Sequence, residues 1–174
     1  ISNTGTALNM EDDASAQILM PFTFDYYGTS YNQVYINSNG TINLSDFFTD
    51  FSNSCIPTAV TSDLIAVHWD DLNPLSGGNV YFQTLGTPPN RTFVIEWFNL
   101  PHYTNIGNVT FEAILHEGSS EIVFQYLDVS FDDPSLDSGL SATVGIQNGS
   151  GTCESKPYSC DQAVLSDQLA IRFI

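Results

Sequence analysis

The sequence predicts an all-β fold: a two-sheet antiparallel β-sandwich, jelly-roll-like, of about ten or eleven strands. Three observations predict it. Apolar residues recur at every second position through most of the chain, the period of a strand with one buried face. Gly- or Pro-containing breaks separate the runs at hairpin spacing. No segment carries a convincing 3.6-residue period, and only "TAVTSD" (58–63) reads as a short helical turn.

The elements follow in order. "TGTALNM" (4–10) is a weakly patterned first strand, followed by "AQILMPFTF" (16–24), "QVYIN" (33–37) and "TINL" (41–44). In "LIAVHW" (64–69), strict alternation puts Leu64, Ala66 and His68 on one face and Ile65, Val67 and Trp69 on the other. Four runs then form a meander. "NVYFQT" presents Val80 and Phe82, and "RTFVIEWF" presents Phe93, Ile95 and Trp97. "NVTFEAIL" presents Val109, Phe111, Ala113 and Leu115, and "EIVFQYL" presents Ile122, Phe124 and Tyr126. "LGTPPN", "NLPHYTNIG" and "HEGSS" separate them, so the strands are antiparallel with one face buried. "LSATVGIQ" (140–147) and "LAIRFI" (169–174) complete the set. No linker, repeat or low-complexity tract divides the 174 residues, which read as one domain.

Composition narrows the function. Hydrophobic content of 42% with 13% aromatics belongs to a chain that folds. Twenty acidic residues face only Arg91, Lys156 and Arg172, a formal charge of −17. Such a surface repels phosphates and anionic headgroups, which excludes nucleic acid and membrane surfaces as partners. It suits water that contains divalent cations. No stretch approaches the roughly 20 apolar residues of a transmembrane helix, so no membrane insertion is expected. The chain starts at Ile1 with neither an initiator Met nor a signal peptide, as a mature or trimmed product would.

Three cysteines are present. Cys153 and Cys160 bracket "ESKPYS", whose Pro-Tyr predicts a turn, so a Cys153–Cys160 disulfide is expected; Cys55 is then left free and buried, or displaces one partner, since three cysteines allow three pairings. Five Asn-x-Ser/Thr sequons are candidate glycosylation sites: Asn39, Asn43, Asn90, Asn108 and Asn148.

"HWDDLNP" (68–74) concentrates polar groups at a strand end. Asp70, Asp71 and Asn73 suit Asx turns, and Pro74 stops further pairing. The same oxygens suit calcium, making Asp70, Asp71 and Asn73 the candidate metal ligands. "NMEDD" (9–13) and "DDPSLD" (132–137) are further acidic clusters, neither with an EF-hand spacing. His68, His102 and His116 are scattered, and the chain has no nucleophile elbow, no H-E-x-x-H and no phosphate loop. No catalytic residue is assigned. Phe22, Phe24, Tyr26 and Tyr27 read as core and rim, whereas Tyr31, Tyr35, Trp97, Tyr103 and Tyr126 include rings able to stack on carbohydrate if exposed.

Taken together, "TGTALNMEDD", "MPFTFDYYGTSYNQVYINSNGTINL", "DLIAVHWDDLNP", "VTFEAILHEGSSEIVFQY" and "SATVGIQNGSGT" resemble a β-sandwich repeat of large secreted bacterial proteins, found beside protease and adhesin-like modules. "YGTSYNQVYINSNG" and "IAVHWDDL" also resemble the nidogen-type extracellular domain. The resemblance covers about Thr4 to Phe173 and implies a secreted, extracellular module without established catalytic residues.

The expectation is therefore a non-enzymatic, secreted structural module, a subunit of a cell-surface fibre or filament. The alternative is an accessory module binding carbohydrate or calcium, with calcium the one cofactor in play. The expected partners are copies of the same chain joined head to tail. Residues 1 to about 17 would either pair within their own sheet or add a strand to the next sandwich, with Ala7, Leu8 and Met10 filling its groove.

Overall fold

The computed structural model describes residues 1–149 and 154–174. Its strands are β1 (Thr6–Ala7), β2 (Ser15–Tyr26), β3 (Thr29–Asn37), β4 (Thr41–Asn43), β5 (Leu64–Trp69) and β6 (Asn79–Leu85). They continue with β7 (Thr92–Leu100), β8 (Val109–His116), β9 (Ile122–Asp128), β10 (Thr143–Gln147), β11 (Ser155–Cys160) and β12 (Ala170–Phe173). Two six-stranded antiparallel sheets result, ordered β1-β6-β7-β8-β9-β12 and β11-β10-β5-β4-β3-β2. The predicted all-β sandwich is therefore present, with the meander intact as β6 to β9.

The alternation places the core as expected in the meander. Phe93, Ile95, Trp97, Phe111, Ala113, Phe124 and Tyr126 all face the second sheet and are at most 1% exposed. Met20, Phe22, Phe24 and Tyr26 answer from β2. One tryptophan and one tyrosine of the meander also bond across the core. The Trp97 indole N–H donates to the Asn37 carbonyl at 2.8 Å, and the Tyr126 hydroxyl to the Val67 carbonyl at 2.7 Å. Each satisfies its polar tip inside an apolar layer, and each ties the meander to the other sheet.

β5 departs from strict alternation. The N–H groups of Val67 and His68 both donate to the single carbonyl of Gly40, at 3.0 and 3.2 Å. That is a β-bulge, with two residues opposite one, and it shifts the side-chain parity. His68 therefore joins Val67 on the inner face, stacked on Phe111 with ring centroids 5.1 Å apart, while Trp69 turns outward. The bulge needs Gly40. Its φ is +75°, and a Cβ there would lie 2.0 Å from the His68 carbonyl oxygen.

The N-terminal segment pairs inside its own sandwich. Thr6 and Ala7 lie opposite Phe82 and Tyr81, and the Leu8 N–H donates to the Val80 carbonyl. Leu8 packs on the core and Met10 is buried in it. Ala7, Leu8 and Met10 thus pack on this chain's own sheet edge and core, as the intrachain alternative to strand donation requires. The sheet edges are also poor templates. β1 is two residues long, β12 four, β11 contains Pro157, and β2 carries Pro21 within a register shift.

The cysteine expectation is also corrected. Cys160 is bonded to Cys55 with a Cα–Cα distance of 5.3 Å, and Cys153 lies outside the described residues. The reason is that Ser155–Cys160 is strand β11, not a turn. An extended run of that length separates its ends by roughly 16 Å, beyond disulfide reach. Pairing on β10 sets Cys160 opposite Thr143, and Thr143 opposite Trp69, where the residue-50 segment packs. "TAVTSD" forms no helical turn; the one 3-10 turn among the described residues is Asp137–Gly139.

His68 is fully buried with no hydrogen-bond partner on either ring nitrogen. Burial pushes its pKa down, against the pull of Asp70. A depressed histidine costs stability as pH falls through its unfolded value near 6.5, because the unfolded chain binds the proton more readily. His68→Leu is expected to raise stability by about 1 kcal/mol at neutral pH, and by more at pH 5, in urea denaturation. Equal gains at both pH values, or a loss at both, contradict this role.

Candidate functional site

Residues 37–40, "NSNG", connect β3 to β4 and are all 0% exposed apart from the glycine, itself buried. Polar residues buried in a hairpin turn must find partners. Asn37 accepts from the Asn39 N–H at 2.6 Å and donates to the Phe48 carbonyl. Ser38 accepts from the Ala14 N–H at 3.0 Å. Asn39 accepts from the Leu72 N–H at 2.8 Å and donates to Asp13 at 2.8 Å. One turn therefore holds two surface regions in place: an acidic corner and a long loop.

The acidic corner joins "NMEDD" to "HWDDLNP". The carboxylate oxygens of Asp12, Asp13 and Asp71 lie within 4.8 Å of one another. Burial, then the charges of Asp13, Asp12 and Asp70, push the Asp71 carboxyl up to about 6. The predicted set of Asp70, Asp71 and Asn73 is not brought together as ligands. Asp70 is buried, accepts from the Asp71 N–H at 2.9 Å and from the Ser141 hydroxyl at 2.6 Å. Asn73 closes an Asx turn by accepting from the Leu75 N–H at 2.9 Å. Only Asp71 of the three is placed with other carboxylates, and its companions come from the N-terminal cluster. Charge density along the chain could not pair them, because the contact spans some sixty residues of sequence and depends on the Asn39–Asp13 bond.

The loop from Leu44 to Asp63 is longer than the dozen or so residues at which structureless connections become uncommon. It lies over the outer face of the second sheet. Phe48 and Ile56 pack on Leu64, Ala66 and Trp69 in a small second core. Asn37 holds the Phe48 carbonyl, and the Trp69 indole N–H holds the Asp50 carbonyl at 2.9 Å. Asn53 donates to Thr143 and Asp161 at 3.1 and 2.9 Å, and Cys55 is covalently tied to Cys160. On the chain-entropy account, closing a loop with a separation of 105 residues contributes about 4 to 5 kcal/mol. Sequence reading missed this loop as a site because it has no motif; its length between two strand patterns was the available signal.

The sequons divide by burial. Asn39 and Asn43 are 0% exposed and use their amide nitrogens as donors, Asn43 to Thr61 at 2.7 Å. A glycan on either has no place in this fold, which corrects both as candidates. Asn90 and Asn108 are exposed and Asn148 is half-buried. The candidate stacking rings are mostly internal: Trp97 and Tyr126 are core, Tyr35 is buried, Tyr31 is half-buried and bonds Asp63, and Tyr103 is exposed. The histidines do not converge on a metal either. His102 bonds Thr104 at 2.7 Å, and its Nε2 lies 3.9 Å from Asp70, while His116 sits beside Glu121.

The chain belongs to the NIDO-related family, whose model matches residues 1–173. Membership bears out the likeness to the nidogen-type domain and indicates an extracellular domain; the match does not extend to the bacterial secreted repeat. Neither a curated protein nor a solved structure matches the chain.

Two predictions come from this geometry. Asn39→Ala strands the buried Leu72 N–H and is expected to cost about 2 kcal/mol in urea denaturation; a cost within about 0.5 kcal/mol removes the turn from its central place. Asp71 has a folded-state pKa above its unfolded value, so it opposes folding above about pH 6 and ceases to as pH falls toward about 4. Asp71→Asn should therefore raise the melting temperature at pH 7 and leave it unchanged near pH 4. A fall at pH 7 contradicts the repulsion.

Proposed function

We propose that this domain is a non-enzymatic module of an extracellular or cell-surface protein, acting through its surfaces rather than converting a substrate. The observation that carries this reading is the NIDO-related match across residues 1–173. The Cys55–Cys160 bond supports it, since structural disulfides persist in oxidising compartments. So does the use of the polar residues at the "HWDDLNP" end, where Asp70, Asn73 and His102 are engaged in turn and loop bonds.

A second reading, favoured by the Asp12, Asp13 and Asp71 geometry, adds a calcium-type cation at the acidic corner. Hard oxygen ligands of like charge suit such an ion. Carbohydrate has weaker support, because most of the candidate aromatic rings are internal. For a fibre of chain copies, contacts through sheet faces or loops have more support than strand donation, since the N-terminal strand is paired within the chain and the edges are short or carry proline.

Antibody raised to the folded domain should label intact, unpermeabilised cells or the medium of the source organism; labelling that requires lysis contradicts the reading. The isolated chain should sediment as a single 19.1 kDa species. Filaments that disappear on removal of residues 1–17 would restore strand donation.

A further inference from the structure

The loop from Leu44 to Asp63 is held by side-chain, backbone and covalent ties, yet it turns two phenylalanine side chains into water, besides Val60. Phe47 is 61% exposed and Phe51 is 49% exposed, while Phe48 between them is buried on Trp69. The Phe47 ring rests edge-on against Tyr35, with centroids 4.7 Å apart, so its direction is fixed by packing. Flexible loops hide such side chains by collapse; this one is prevented from doing so by the Asp50, Asn53 and Cys55 tethers. An apolar side chain held as Phe47 is loses little conformational entropy when a partner covers it.

The surrounding charge selects the partner. Asp46 and Asp50 flank Phe47 and Phe51 in sequence, and Asp161 sits at the Asn53 tether. None of the three is ion-paired among the described residues: Arg91 and Arg172 are engaged with Glu117 and Glu121, the N-terminal amine with Glu112, and Lys156 donates to the Ile174 carbonyl. A second copy of this chain, at −17, would bring the same carboxylates against themselves. A lysine or arginine side chain is complementary in both respects. Its methylene stem covers a phenylalanine ring, its cation meets the ring face or a carboxylate, and the overall field speeds its approach.

We propose that the Phe47–Phe51 face of this loop docks a basic, Lys- or Arg-bearing segment of another extracellular protein. The inference rests on the reading of the domain as an extracellular surface module and names the partner chemistry of one face.

The test uses the intact chain and a synthetic, end-blocked peptide of alternating Arg and Leu, titrated calorimetrically at physiological salt. Phe47→Ser with Phe51→Ser is the decisive variant; both side chains are largely exposed, so it should stay folded, with a melting temperature lowered only by the lost Phe47–Tyr35 contact. Binding is expected to weaken about tenfold or more in that variant. Asp46→Asn with Asp50→Asn should weaken it as well, with a shallower salt dependence. Equal affinity for parent and double-serine variant would mean bulk attraction to an acidic surface and overturns the proposal. So does an absence of binding to the parent, or self-association of the parent that the serine variant abolishes. None of these outcomes bears on where the protein resides, which the labelling of intact cells decides separately.

Discussion

The buried turn Asn37-Ser38-Asn39-Gly40 is the constraint on which the rest of the structure hangs. Four consecutive residues that favour solvent-exposed turns are enclosed, and every part of the molecule near them supplies a partner. The meander reaches it through Trp97, the N-terminal segment through Asp13 and Ala14, the residue-70 corner through Leu72, and the long loop through Phe48. Gly40 adds a backbone role, since its carbonyl takes the two N–H groups of the β5 bulge. A buried polar network is costly when half satisfied and specifying when complete. Here it fixes one relative placement of the two sheets where an apolar core alone would tolerate sliding.

The same turn explains why the surface features lie where they do. The bulge beneath Gly40 turns His68 inward and Trp69 outward, and outward-facing Trp69 is the platform on which Phe48 packs. Without the bulge the long loop would keep Leu64 and Ala66 beneath it but lose Trp69, the largest part of its apolar floor. Asn39 meanwhile draws Asp13 toward the residue-70 corner, which concentrates carboxylates that repel one another. Stability at the turn is thus exchanged for electrostatic strain at the corner, a strain that a bound cation or a fall in pH relieves.

Much of the fold was legible because the signal is local. Alternation in "RTFVIEWF" and "NVTFEAIL" depends only on which face of a strand is buried, and those strands stand where the pattern puts them. Alternation failed at His68 because a bulge is set by the partner strand, in this case by a glycine carbonyl distant in sequence. It failed at "SKPYSC" because Pro157 is admitted on an edge strand, a position that sequence alone does not disclose. Reading Pro-Tyr as a turn led directly to the wrong cysteine pair. The site was less legible than the fold. Sequence proximity groups Asp71 with Asp70 and Asn73, whereas the carboxylates brought against it in space are those of Asp12 and Asp13. Asn39 fits a sequon pattern that knows nothing of burial, and its actual work is to bond Leu72 and Asp13.

The most direct test of the turn's central place is native-state hydrogen exchange of the unaltered chain. The Trp97 indole N–H and the backbone N–H groups of Ala14, Asn39 and Leu72 are all bonded to residues 37–39. If that turn joins the sheets, the N-terminal segment and the residue-70 corner into one unit, all four exchange only on global unfolding, with the same opening free energy as Ile95 and Val67 in the core strands. Exchange of Ala14 or Leu72 through low-energy local openings, while Trp97 stays protected, would contradict the account, because the turn would then be a passenger on a sandwich held together by its apolar core.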